Sequence, residues 1–190
     1  MIRAGDSIVN PVTGERLVFL ETSAETDGEY VRFETYVEPD GFVASAHVHP
    51  FQSERFEVAS GLLSVKAGKE TLDLGPGEVT VIEPGTAHKF WNAGEDTVRF
   101  TCTVRPALQF ESLIETMFGL AADGKTNRKG MPNPLRLAVI ARAHFDTVRL
   151  PKPPAWAQRA GLALGAPVGR LLGYGATYSP QAGSAALPAV

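Results

Sequence analysis

The sequence predicts an all-β barrel that holds a metal and continues into an α-helical C-terminal extension. Three observations lead there. Between residues 7 and 105, short stretches of alternating apolar and polar side chains recur between turn residues, the pattern of a β-sandwich or barrel. Within that region, His47-Val48-His49, Glu54 and His88 place metal-ligand chemistry at strand spacing. Beyond Pro106 the hydrophobic period changes from that of a strand to that of a helix.

Tyr30 to Val37 alternates most clearly, with Val31, Phe33, Thr35 and Val37 on one face and Tyr30, Arg32, Glu34 and Tyr36 on the other. Pro39-Asp40-Gly41 is a turn, Pro setting φ and Gly permitting positive φ. Arg55–Ser60, Leu62–Lys66 and Glu70–Leu74 read as short strands separated by Gly61 and Gly68. Pro76-Gly77 precedes a strand over Glu78–Ile82, and Ala93-Gly94 precedes one over Thr97–Arg105. Closure into a barrel would remove the edges of such a sheet.

Phe110, Leu113, Ile114, Met117, Phe118 and Ala121 then form the apolar stripe of an amphipathic helix. That stripe needs a cover, either the barrel or a second copy, and a homodimer is the expected assembly. Asp123 to Pro134 is a polar loop, and Pro134 to Phe145 a second helix with Leu137, Ile140 and Ala141 inward. Leu150 to Pro154 is too rich in Pro for a helix and is expected to be an extended connector. A third helix is expected from Ala155 to Leu172, interrupted at Pro167, before a poorly ordered tail from Gly175 rich in Gly, Ala, Ser and Pro. The expected organisation is a barrel over 1–106, a helical extension over 107–174 and a tail over 175–190.

Two His one residue apart share a face of a strand, and Glu54 and His88 can close on the same point from neighbouring strands. Three imidazoles and one carboxylate suit a divalent first-row metal. Three of the chain's four His occupy these positions, which weighs against isolated surface histidines. Fe, Mn, Ni or Co would keep one or two coordination positions open beside four protein ligands, and an open position lets a metal bind substrate or water. Zinc, the alternative, would make a closed tetrahedral site unless its shell expands. Phe56 shares the face of Glu54, and Phe90 and Asn92 that of His88, so Phe56, Phe90 and Asn92 are the expected walls of a substrate pocket. Glu54 is also the candidate catalytic base, provided it leaves the metal during turnover. His144 lies outside the set and reads as an ordinary helix residue. Lys125, Arg128 and Lys129 form a basic loop, read as solvated surface, with a lid over an anionic substrate as the alternative.

These residues also carry a resemblance. Gly41, five residues, His47-Val48-His49, four residues, Glu54, six residues and Gly61 resemble the first motif of the cupin superfamily. Gly77, seven residues, Gly85, His88 and Asn92 resemble its second motif, with Glu83 where the family usually has Pro. The resemblance spans roughly residues 7–106 and implies a double-stranded β-helix, or jelly-roll, barrel with a metal inside. It implies a small-molecule substrate and no single reaction, since similar cupins include dioxygenases, isomerases, cyclases, lyases and binding domains. A dioxygenase-like enzyme is the leading expectation. A Lewis-acid isomerase, cyclase or lyase is the second, and a non-catalytic metal or ligand-binding module the third.

The bulk numbers exclude other classes. The 44% hydrophobic and 21% charged residues are those of an ordinary globular protein, and a formal charge of −3 gives no hint of nucleic-acid binding, so no nucleic-acid partner is expected. Cys102 is the lone cysteine, so no internal disulfide forms, and in an alternating strand it reads as a small buried hydrophobe. No apolar h-region opens the sequence, and no uncharged apolar stretch approaches the ~18 residues of a membrane span. A cytoplasmic location is expected.

Overall fold

A computed structural model describes residues 2–179 of the chain. Among these residues, nine strands precede three helices. β1 (Ser7–Asn10), β2 (Glu15–Glu21), β3 (Val31–Val37), β4 (Ser53–Ser60), β7 (Val79–Ile82) and β9 (Val98–Arg105) build one antiparallel sheet, in the order β1-β2-β3-β9-β4-β7. β5 (Leu63–Ala67), β6 (Glu70–Leu74) and β8 (His88–Asn92) build a second, in the order β6-β5-β8. The jelly-roll barrel therefore consists of two facing sheets joined by side-chain packing, so sheet edges remain. β7 is one such edge, with Val79 and Val81 exposed on its outer face.

Alternation decides which side chains enter the barrel. Val31, Phe33 and Val37 of β3 are buried, as are Phe56 and Val58 of β4 and Val98, Phe100, Cys102 and Val104 of β9. They form one continuous core with Leu63 and Val65 of β5. Glu54 lies on the same face of β4, whereas Arg55 and Glu57 point outward and pair with each other at 2.6 Å. β4 is bonded on both sides, with Glu54 opposite Val104 of β9 and Ile82 of β7.

Two motif glycines are dictated by sterics. Gly61 adopts φ +81°, and a Cβ there would stand 2.8 Å from Val98 Cα. Gly41 has an ordinary φ, yet a Cβ would meet Val37 at 2.6 Å and the Glu38 carbonyl oxygen at 2.7 Å.

α1 (Phe110–Ala122) is covered by its own chain on two sides. Phe110 and Phe118 pack into the barrel core, while Leu113 and Leu120 pack against Ile140 of α2 (Pro134–Ala143). Of the two covers expected for this helix, the barrel supplies one, and α2 covers what the barrel leaves open. Asn133 caps α2, its side chain accepting from Leu135 N–H at 2.9 Å, and Pro134 opens the helix without losing a bond.

α3 (Ala155–Leu171) runs through Pro167 without the expected interruption. Small residues explain this. A Cβ at Gly169 would stand 2.5 Å from the Leu135 carbonyl oxygen and one at Gly165 would stand 3.2 Å from Ala138, so α3 seats closely on α2. That packing outweighs the roughly 3 kcal/mol an interior proline costs. Trp156, Leu164, Leu171 and Leu172 remain solvent-facing. Within the expected tail, Tyr178 packs on the α1–α2 cluster and its N–H donates to Thr116 Oγ1 at 3.1 Å. The rest of that tail, 180–190, lies outside the described residues.

A buried carboxyl sits at the start of β2. Glu15 is 5% exposed, accepts from Thr13 Oγ1 at 2.7 Å, and is pushed up to about 7 by burial, the Thr13 bond acting in the opposite sense. The folded chain thus keeps this proton to higher pH than the unfolded chain. Its contribution to stability is complete below the ordinary value of 4.5 and is lost as pH rises through about 7. We expect the stability of Glu15→Gln relative to the native protein to rise by roughly 1–3 kcal/mol from acid to mildly alkaline solution. Urea denaturation at several pH values tests this, and parallel pH profiles would contradict it. Gly61→Ala should cost about 2–4 kcal/mol in the same assay, from the combined φ strain and contact with Val98. A loss below about 1 kcal/mol would show that β9 yields easily.

Candidate metal centre

The four ligand candidates reach one point from three parts of the fold. His47 and His49 lie on a segment that touches the second sheet by an isolated bridge, His47 to His88, rather than by a full ladder. Glu54 comes from the start of β4, between β9 and the edge strand β7 of the larger sheet, and His88 from the first residue of β8. One ligand atom from each falls within 4.8 Å of all the others. His49, Glu54 and His88 are 3%, 4% and 2% exposed, and His47 is half-buried.

The imidazoles are all turned the same way by their outer nitrogens. His47 Nδ1 lies 2.9 Å from the Ser45 carbonyl oxygen, His88 Nδ1 lies 3.0 Å from that of Thr86, and His49 Nδ1 lies 2.7 Å from that of Thr147. A carbonyl can only accept, so each Nδ1 carries the proton and each Nε2 keeps a lone pair. That is how metal-binding histidines are prepared.

The inner atoms are left without partners. His49 Nε2, His88 Nε2 and Glu54 Oε2 are buried with no aligned hydrogen bond. Glu54 Oε2 approaches His88 Nε2 to 2.6 Å off the line of a hydrogen bond, and Glu54 Oε1 lies 3.6 Å from His49 Nε2. Buried polar atoms without partners are rare in native proteins. A divalent cation would satisfy all of them at once, and nitrogen with carboxylate oxygen is a suitable donor set.

Electrostatics agrees with that use. Burial, then the charges of His88 and His49, push His47 down to about 3, so it is neutral at physiological pH. Burial alone would raise Glu54, but the neighbouring imidazoles of His49, His88 and His47 bring it down to about 2. Burial would lower His88, yet contact with Glu54 raises it above the ordinary histidine value. Below that raised value the ring carries a second proton, on Nε2, that a metal must displace.

The expected pocket walls separate. Phe90 borders a cavity of about 570 Å³ that also involves Phe42, Trp91, Lys66, Lys89 and His88. Phe56 is 1% exposed and instead packs edge-on against Phe90 and Phe100 in the core. Asn92 is spent on the backbone, its Nδ2 donating to the Val37 and Asp96 carbonyls at 2.8 Å and its Oδ1 accepting from Gly94 N–H. It closes a turn, with both Nδ2 protons and one Oδ1 lone pair committed to the backbone. The Glu83 departure leaves the loop intact, with Gly85 at φ +82° and its N–H donating to the His49 carbonyl at 2.8 Å. His144 is buried at the end of α2, its Nδ1 bonded to the Ile140 carbonyl at 3.0 Å. Lys125 stands at the Tyr178 hydroxyl and 3.7 Å from Asp123, and none of Lys125, Arg128 and Lys129 borders the cavity.

One participant was not expected. Gln52, 1% exposed, donates through Nε2 to the Pro106 and Ala107 carbonyls at 2.8 and 3.0 Å, which aims its Oε1 at His49 Nδ1, 3.1 Å away. A buried Gln between two ligands was the available signal.

Residues 33–104 match the family model of the cupin domain. No curated protein matches the sequence. Among solved structures, a predicted oxalate decarboxylase from Thermotoga maritima is 14% identical, over 56% of this chain and 98% of its own, with a TM-score of 0.49. A double-stranded β-helix protein from Klebsiella pneumoniae is 23% identical over 57% and 84%, with a TM-score of 0.43. An RmlC-like cupin from Shewanella frigidimarina is 16% identical over 55% and 86%, with a TM-score of 0.47. No helix among the described residues is long and apolar enough to cross a membrane.

The raised His88 sets a pH dependence for metal binding. We expect apparent affinity for Co(II) to fall by up to about tenfold per pH unit below the His88 value, with one proton released per ion in that range and none well above it. Calorimetric titration in buffers of different ionisation enthalpy measures that proton. Affinity independent of pH would show that His88 is not displaced.

Proposed function

We propose that this chain, which belongs to the cupin superfamily through the domain at residues 33–104, is a divalent-metal-dependent enzyme of dioxygenase type acting on a small organic molecule. The observation that carries the reading is the set of outward Nδ1–H bonds, which leaves the inner donors of His49, His88 and Glu54 unsatisfied around one buried point. His47, His49, Glu54 and His88 would hold the ion, with Fe, Mn, Ni or Co keeping a position open. Such an ion supplies Lewis acidity and, where redox-active, electron exchange with dioxygen.

The chain's own residues do the rest. A carboxylate held at about 2 is a poor proton acceptor near neutral pH, so Glu54 serves as an anionic ligand rather than a base. The core formed by Phe56, Phe90 and Phe100 keeps water from the inner side of the site. Substrate approaches from the cavity, which shares His88 with the cluster. Phe42, Phe90 and Trp91 offer it aromatic surface, and Lys66 and Lys89, directly opposite in the β5–β8 register, offer positive charge. A small aromatic or unsaturated acid or enol fits that lining.

Metal-loaded protein should take up O₂ with a member of a panel of flavonols, diketones, catechols and aromatic acids, and His49→Ala should lose at least 100-fold of that rate, about 3 kcal/mol in the barrier. An oxygen electrode with product analysis makes the measurement. Equal turnover under argon would assign the site to a Lewis-acid isomerase, cyclase or lyase. Binding without turnover in either atmosphere would leave a ligand-binding module.

A further inference from the structure

His49 differs from the other two histidines in what holds it. His47 and His88 bond to carbonyls two residues away, so their orientation is local to their own segments. The carbonyl that accepts from His49 belongs to Thr147, 98 residues later, in the turn after α2. Thr147 is 3% exposed, and two residues further the backbone pairs with the neighbour of His49. Val48 N–H donates to the Arg149 carbonyl at 2.9 Å and Arg149 N–H to the Val48 carbonyl at 3.0 Å. The far side of His49 meets Phe110 of α1 with ring centroids 5.8 Å apart. Gln52 supplies the second acceptor for Nδ1, and it is itself tied to the chain entering α1 through the Pro106 and Ala107 carbonyls.

We infer that residues 144–149 of the C-terminal extension form a strap that completes the metal centre, that Gln52 and the Thr147 carbonyl position His49, and that metal binding and strap docking are thermodynamically coupled. The inference rests on the metal-binding reading above. The physical reason is a proton location. With both acceptors in place, His49 is locked as the Nδ1–H tautomer with Nε2 inward. With the strap undocked, the ring loses its 2.7 Å bond and is held on that side by Gln52 alone at 3.1 Å, which weakens the lock on the rotamer and tautomer that present Nε2 inward. Outer partners of ligating histidines are typically worth 10–100-fold in metal affinity. Coupling is reciprocal, so a metal that binds the docked form more tightly by that factor suppresses strap opening by the same factor.

The test follows exchange of the Val48 and Arg149 amides in full-length protein, with Co(II) as the probe and its stoichiometry measured on the same sample. Saturating Co(II) should slow exchange at both amides about 10–100-fold, in line with the reciprocal factor. Gln52→Leu should weaken Co(II) binding at least about tenfold and shift the visible Co(II) bands, a readout that a merely destabilised fold would leave alone. Stoichiometric Co(II) with unchanged exchange at both amides overturns the coupling. Native affinity and spectrum in Gln52→Leu overturn the role of Gln52. Failure of the native protein to bind Co(II) overturns the metal reading and this inference with it.

Discussion

Burying a carboxylate beside three imidazoles in an aromatic β-core is costly unless every polar atom has a fixed purpose, and the three outward Nδ1–H bonds supply it. They decide which nitrogen of each ring is protonated, and so turn a buried polar cluster into an array of lone pairs. The surrounding fold serves that condition. Barrel alternation brings Glu54 inward, the turn closed by Gly85 sets the start of β8 beside His49, and α1 sets Phe110 at a tilt beside the His49 ring. Without the carbonyls, the same four side chains would form a site of mixed tautomers.

Period and spacing made much of this legible. Val31, Phe33, Thr35 and Val37 alternate in the sequence and are buried in the sheet, and Glu54 follows the parity of Phe56 and Val58. The gathering of His47, His49, Glu54 and His88 was readable because ligand chemistry sits in side chains at recognisable intervals. Shared parity said less about Phe56 and Asn92, because a face of a strand includes core and turn contacts as well as cavity wall. Phe56 went to the core and Asn92 to a turn.

The C-terminal half was harder to read, for physical reasons. Leu120 falls off the predicted stripe of α1 because the helix is covered on two sides, so a single amphipathic face underestimates its burial. Pro167 marks a break by propensity, yet Ala166 and Gly169 let α3 sit close enough on α2 for packing to win. The Thr147 carbonyl carries no sequence signature at all. A backbone acceptor is present at every residue, and only the tertiary fold determines which one reaches His49.

The two sides of the cluster are built with different stiffness. Glu54 occupies a strand hydrogen-bonded on both flanks, to β9 and to β7. His47 and His49 stand on an irregular segment held by single bridges to His88 and Arg149. Ions of different radius would therefore be accommodated by movement on the histidine side while the carboxylate keeps its place. Any selectivity of such a centre would then be an elastic property, set by how far residues 47–49 yield before their bridges break.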